Sequence, residues 1–236
     1  MSPVGDSHIV KTYDAELDRL RQIIARMGGK AEAQMRAALE AMTERDNDAA
    51  AQVVVADHEI DEYDAQVNDL TIRLLALRAP VADDLRTVIT ALKVSAELER
   101  IGDLSANVAK RSLVLSQTPA VPAARAALRM GWMVLDRIKR VLDAYLSHDA
   151  GAALEVWKSD QEVDDLYSSL FREILTYMME DPRTITASTH LMFVAKNLER
   201  CGDHATNIAE MTYYLVSGRP LREDRPKTSS VDGLGT

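Results

Sequence analysis

Two short stretches of this chain, 100 residues apart, carry the same arrangement of acids: Glu99-Arg100-Ile101-Gly102-Asp103 with Asn107, and Glu199-Arg200-Cys201-Gly202-Asp203 with Asn207. Between positions 98 and 109, seven of twelve residues are identical to those between 198 and 209. The shared residues are mostly polar, whereas packing alone would more readily repeat apolar ones. Two further acid pairs with the same four-residue spacing precede them, Asp57 with Asp61 and Asp160 with Asp164. Residues four apart on a helix share a face, so each pair offers two carboxylates to one neighbour. If two such pairs meet, each like-charged contact at about 4 Å costs on the order of 4 kcal/mol at an effective dielectric near 20. Protonation, arginine pairing or a bound cation must then neutralise them. An all-oxygen donor set suits hard divalent or trivalent ions such as magnesium, manganese, calcium or iron, and zinc also accepts carboxylates. The alternative is a set of interhelical salt bridges at a bundle rim.

Neighbouring residues refine this picture. Asn107 and Asn207 extend each acid row by one turn and offer carbonyl oxygens. Arg100 and Arg200 follow their acids by one residue, about 100° around a helix, and are expected to make outer or surface contacts. Gly102 and Gly202 sit inside helical pattern, where glycine is unfavourable unless something approaches the backbone closely. His58 and His204 adjoin acids but point apart from them. Cys201 reads as a small buried residue.

The elements that must position these side chains are long helices. Apolar residues recur at three- and four-residue spacing almost throughout, and breaks carrying Pro, Gly, Asn or Asp divide the pattern into six helices near 10–45, 48–78, 82–116, 119–147, 150–180 and 183–217. Asn47 or Asp48 opens the second, Pro80 follows its end, Thr118-Pro119 opens the fourth, Asp181-Pro182 opens the sixth, and Gly218 and Pro220 close it. Gly28-Gly29 is a possible kink in the first. Over 82–116, Leu85, Val88, Ile89, Leu92, Ala96, Glu99, Asp103 and Ala106 fall on one face, so the acids continue an apolar stripe and turn toward a neighbouring helix. Short connections make sequential helices antiparallel. The expected fold is therefore all-α, two tandem three-helix bundles related by an internal repeat, over 1–117 and 118–218. The segment 219–236 is charged and aperiodic and is expected to be disordered.

Composition narrows the function. With 28 basic against 37 acidic residues the formal charge is −9, which disfavours a nucleic-acid groove or an anionic membrane surface as partner. The basic residues Arg129, Arg137, Lys139 and Arg140 read as a solvated face. A single cysteine excludes an intrachain disulfide and a Cys-rich metal site. The opening Met1-Ser2-Pro3-Val4-Gly5-Asp6 lacks the basic and apolar regions of a signal peptide, and no segment reaches the roughly 18 apolar residues of a membrane helix. A soluble, cytoplasmic protein without membrane insertion is expected.

The same motifs carry a family resemblance. Pro80 and Asp84-Leu85-Arg86 ahead of Leu98-Glu99-Arg100-Ile101-Gly102-Asp103, and Glu180-Asp181-Pro182 ahead of Leu198-Glu199-Arg200-Cys201-Gly202-Asp203, resemble the repeats of the PhoU family over nearly the whole chain. The resemblance implies two three-helix bundles, a homodimer, and metal ions held by the acid pairs, with Asp57, Asp61, Glu99, Asp103, Asp160, Asp164, Glu199 and Asp203 as ligands. It further implies a cytoplasmic regulator without catalysis, peripheral to the inner membrane through its partners. Those partners are the ATPase subunit of the phosphate ABC transporter and a sensor histidine kinase, and phosphate-starvation genes stay off when phosphate is plentiful. Lys196, with Ser188 and Thr189, departs from Ala96, Val88 and Ile89 of the first copy and could occupy a cation's place in the second. A carboxylate-bridged di-metal enzyme is a second reading, against which none of the five histidines has a glutamate three residues before it. A metal-free scaffold is a third.

Overall fold

The computed structural model of the chain describes residues 4–221, which are helical apart from short connections. The elements are α1 (Val4–Glu44), α2 (Asn47–Ala56), α3 (His58–Arg78), α4 (Ala82–Leu115), α5 (Ala124–Ser147), α6 (Ala150–Lys158), α7 (Asp160–Glu180), a 3₁₀ turn (Pro182–Thr184) and α8 (Ile185–Ser217). The periodicity predicts six helices, and the second and fifth are each broken in the middle. Asp57 ends α2 and precedes α3, and the Ile60 amide bonds back three residues to the Asp57 carbonyl at 3.0 Å. Ser159 does the same between α6 and α7, with the Glu162 amide 3.2 Å from its carbonyl. Such tightened turns leave the helix direction roughly intact while re-aiming the side chains beside them. Both breaks fall at the first acid pair of a repeat, and local periodicity gave no sign of either.

Helix ends are sealed by short polar side chains. Asp46, not Asn47 or Asp48, caps α2 by accepting from the Ala49 amide at 3.0 Å. Asp149 caps α6, accepting from Gly151 at 2.9 Å and Ala152 at 3.0 Å. Arg45 donates to the carbonyls of Leu115, Ser116 and Thr118 at 2.9, 2.7 and 2.6 Å, covering acceptors that the end of α4 leaves open. The fourth of the expected helices begins at Ala124, well after Thr118-Pro119. Gly218, at φ 68°, closes α8 in the left-handed conformation. From residue 222 the expected tail lies outside the described residues.

The first bundle is α1, α2–α3 and α4; the second is α5, α6–α7 and α8. They join through α4 against α8 and α1 against α5, while α2–α3 and α6–α7 form the two outer layers. One apolar core runs across this junction, with Met27, Met35 and Leu39 of α1, Leu98 and Ile101 of α4, Met130 and Val134 of α5, and Leu198 of α8 almost wholly buried. α1 runs unbroken through Gly28-Gly29. A methyl group at Gly28 would strike Leu142 of α5, and one at Gly131 would strike Leu39 of α1, so these two glycines set the close approach of α1 and α5. Across α4 and α8, Glu97 accepts from His204 Nδ1 at 2.6 Å and from Asn207 Nδ2 at 3.0 Å. Burial pushes the Glu97 carboxyl up, but these two hydrogen bonds outweigh it and hold its pKa below the ordinary value.

Candidate metal centres

In the first bundle the α2–α3 break brings Asp57 and Asp61 against Glu99 and Asp103 of α4. Asp57 is half-buried, and its Oδ1 accepts from Gln34 Nε2 of α1 at 2.8 Å. The same amide lies 3.2 Å from the Gly102 carbonyl, so Gln34 ties α1, α2–α3 and α4 together at one point. Burial raises the pKa of Asp57; the Gln34 hydrogen bond lowers it, Asp103 and Asp61 push it up again, Lys110 works against them, and the net shift is upward. Glu99 is raised as well, by burial first and then by Asp103, with Arg100 opposing and Asp61 and Asp64 adding to the rise. The four predicted residues therefore act on one another electrostatically, and Asp64 adds to the rise at Glu99.

Gly102 makes that approach possible. A Cβ there would lie 2.8 Å from Ile60 Cδ1 and 3.2 Å from Asp57 Oδ1, both inside ordinary contact. At Gly202 the nearest atom would be Val163 Cγ1 at 3.5 Å, an ordinary van der Waals distance. The close approach expected at both glycines thus holds in the first repeat alone.

Several expectations require correction. Arg100 does not point away: its Nε lies 3.3 Å from Glu99 Oε2 and its Nη1 3.3 Å from Asp103 Oδ2, because a long exposed side chain can curl back along its own helix. The stripe through Leu85 and Ala96 is not the centre of the buried face. Both residues are exposed, the core side of α4 running instead through Ala91, Val94, Leu98 and Ile101, so Glu99 and Asp103 sit at the core's edge. His58 Nδ1 lies 2.6 Å from the Val55 carbonyl, and His204 and Asn207 are turned to Glu97. Cys201, as expected, is fully buried, with its thiol pushed far up by that burial. Among the described residues, no three His, Cys, Asp or Glu side chains already stand together as a cation's ligands would.

The second bundle gives its acid pairs different neighbours. Asp160 is buried; its Oδ1 accepts from Thr206 Oγ1 at 2.8 Å and lies 3.9 Å from Arg137 Nη1. Arg137 is not on a solvated face. It is 2% exposed, its Nη1 is 3.4 Å from the Asp160 carbonyl, and its Nη2 is 3.6 Å from Glu162. Burial lowers its pKa while Asp160, Glu162 and Asp164 oppose the fall. Lys196 Nζ lies 2.8 and 2.7 Å from the two oxygens of Glu199. Burial works against the Lys196 charge, yet the hydrogen bond and charge of Glu199, with Asp203 behind them, keep its pKa above the ordinary value.

Gln34, Arg137 and Thr206 contact the predicted acids; motif reading passed over Gln34 and Thr206 and placed Arg137 on a solvated face. A signal was present for the first two. Gln34 interrupts the apolar series Met27, Ala31, Ala38, Ala41, and Arg137 interrupts Met130, Val134, Ile138, Val141, each a polar residue at a buried helical spacing. Nothing comparable marks Thr206.

The comparisons with known proteins agree with this duplicated architecture. The PhoU domain family matches residues 24–112 and again 127–212. A phosphate-specific transport system accessory protein PhoU homolog of Caulobacter vibrioides is 48% identical over 221 residues, covering 93% of this chain and 96% of that protein. The homolog of Zymomonas mobilis is 46% identical over 216 residues, covering 92% and 91%. Among solved structures, PhoU from Pseudomonas aeruginosa superposes with a TM-score of 0.86 at 38% identity, over 88% of this chain and 100% of that one. The phosphate transport system regulatory protein PhoU from Streptococcus pneumoniae superposes at 0.82 and 30% identity, over 89% and 100%.

Proposed function

The chain belongs to the PhoU family, and from that premise we propose that it is an accessory regulator of phosphate transport, acting by binding and not by catalysis. In this reading the protein works in the cytoplasm as a homodimer, with repeats over 1–117 and 118–218. It contacts the ATPase subunit of a phosphate ABC transporter and a sensor histidine kinase, and keeps phosphate-starvation genes off when phosphate is abundant. No helix among the described residues is long and apolar enough to cross a membrane, so any membrane association falls to such partners.

The observation that carries the binding part is the first acid cluster. Asp57 and Glu99 are both held above their ordinary pKa, first by burial and then by neighbouring acids, Asp61 and Asp103 among them. Gly102 leaves the space in which Asp57 stands against α4. The residues fit a hard cation, magnesium or manganese before zinc, because every donor is an oxygen. A bound ion would neutralise the cluster and fix α2–α3 against α4. Asp57, Asp61, Glu99 and Asp103 would hold it.

The test is genetic and biochemical. Deleting the gene is expected to switch on phosphate-starvation genes in high phosphate, the wild-type gene to restore repression, and the tagged protein to retain transporter ATPase or kinase on purification. Unchanged repression in the deletion strain, with neither component retained, would sink the proposal.

A further inference from the structure

We infer that the second acid constellation carries its own resident cations, Arg137 and Lys196, and needs no metal ion, so that each chain binds a single metal centre, in its first repeat. The single-centre part rests on the metal reading above; the resident-cation part stands on the geometry alone. The two repeats can be laid over one another residue by residue. Asp160 and Asp164 lie 103 residues beyond Asp57 and Asp61, and Arg137 lies the same 103 beyond Gln34. At that shared place on the first helix of each bundle, a neutral amide donates to Asp57 at 2.8 Å in one repeat, and a guanidinium stands 3.9 Å from Asp160 in the other.

The third helix of each bundle repeats the contrast at the other end of the cluster. Lys196 lies 100 residues beyond Ala96, and its amine donates to Oε1 of Glu199, the counterpart of Glu99, and stands in ion-pair contact with Oε2. Thr206 replaces Ala106 and gives Asp160 a further donor. Each constellation holds four carboxylates of the duplicated pattern. In the second, two cations of the protein stand beside them, one of them buried, where losing its carboxylate partners would leave an uncompensated charge. A metal ion placed there would meet two like charges and would have to break the Lys196–Glu199 and Arg137–Asp160 pairs. In the first, Gln34 and Ala96 bring no charge; the exposed Arg100 pairs with Glu99 and Asp103, and Lys110 acts on Asp57 by its charge.

Manganese titration of the full chain, followed by calorimetry and by elemental analysis after desalting, separates the possibilities when run beside thermal unfolding in EDTA. The variants are Asp57→Asn with Glu99→Gln, Glu199→Gln with Asp203→Asn, Ala96→Lys and Lys196→Ala. Ala96 is exposed, so a lysine there does not disturb the core. The expected result is one centre in the wild type, abolished by the first pair, changed less than about 2-fold by the second, and weakened at least about 10-fold by Ala96→Lys. In EDTA, Ala96→Lys is expected to raise the melting temperature and Lys196→Ala to lower it. A second binding event that disappears with Glu199→Gln and Asp203→Asn would overturn the inference and leave the metal reading standing. No manganese uptake by the wild type, with the two EDTA shifts as expected, would overturn the metal reading and uphold the resident cations. EDTA shifts absent or reversed would overturn the resident cations themselves.

Discussion

One substitution made at equivalent places in the two repeats tests the geometry directly: Gly102→Ala and Gly202→Ala. Both glycines lie in helix interiors, where alanine is favoured by about 1 kcal/mol. At Gly202 the added methyl makes only ordinary contacts, the nearest being Val163 Cγ1 at 3.5 Å, so most of that gain survives and Gly202→Ala is expected to stabilise by about 0.5–1 kcal/mol. At Gly102 the methyl meets Ile60 Cδ1 at 2.8 Å and Asp57 Oδ1 at 3.2 Å, and Ile60 is a buried core side chain. Overpacking of this kind costs about 1–3 kcal/mol, which exceeds the helix gain and leaves Gly102→Ala destabilised by about 1 kcal/mol. The two variants then differ by about 2 kcal/mol, or about 0.7 M in urea midpoint for an m-value near 3 kcal/mol/M. Urea unfolding followed by circular dichroism in EDTA reads this difference without any contribution from metal. Gly102→Ala at or above wild-type stability, or Gly202→Ala more than about 1 kcal/mol below it, would refute the reasoning. The same pair of variants carries a functional readout. Gly102→Ala displaces Asp57 and should weaken manganese binding, and Gly202→Ala should leave it unchanged.

Further outcomes follow from single contacts. The raised Asp57 and Glu99 carboxyls must lose their protons to bind an ion, so manganese affinity is expected to rise with pH above about 4 and on through their raised values; calorimetry in buffers of different ionisation heat should show proton release. Without metal the sign reverses: groups raised in the folded state stabilise it fully below their unfolded pKa and lose that contribution as pH climbs through the folded one, which unfolding midpoints in EDTA between pH 4 and 7 would reveal as a decline from this cluster. Asp149→Ala removes the acceptor of two amides at the start of α6 and should cost about 1 kcal/mol by urea unfolding. Gly29→Ala, with nothing within 4 Å of the new methyl, should stabilise by about 0.4–1 kcal/mol, whereas Gly131→Ala drives a methyl into Leu39 and should cost about 1–3 kcal/mol.

Much of the architecture is local in origin and can therefore be read along the chain. Helical periodicity depends on residues three and four apart, and the long helices, their antiparallel order and the duplication follow from it. The four-residue spacing of Asp57 with Asp61 and of Glu99 with Asp103 likewise announces paired carboxylates before any packing is known. The breaks at Asp57 and Ser159 are another matter. Their backbones stay in the helical region, so no proline or glycine marks them.

What the acids meet is decided by residues far away in sequence. Gln34 reaches Asp57 across 23 positions and the Gly102 carbonyl across 68, and Arg137 reaches Asp160 across 23. Neither partner belongs to the repeated motif, and only the packing of α1 and α5 into their bundles brings them there. Sequence alone thus determined that this protein has two copies of one helical acid constellation. Tertiary structure decided that they are not equivalent, because counter-charge depends on which side chain the opposing helix presents at a few ångströms: an amide in the first repeat, a buried guanidinium in the second.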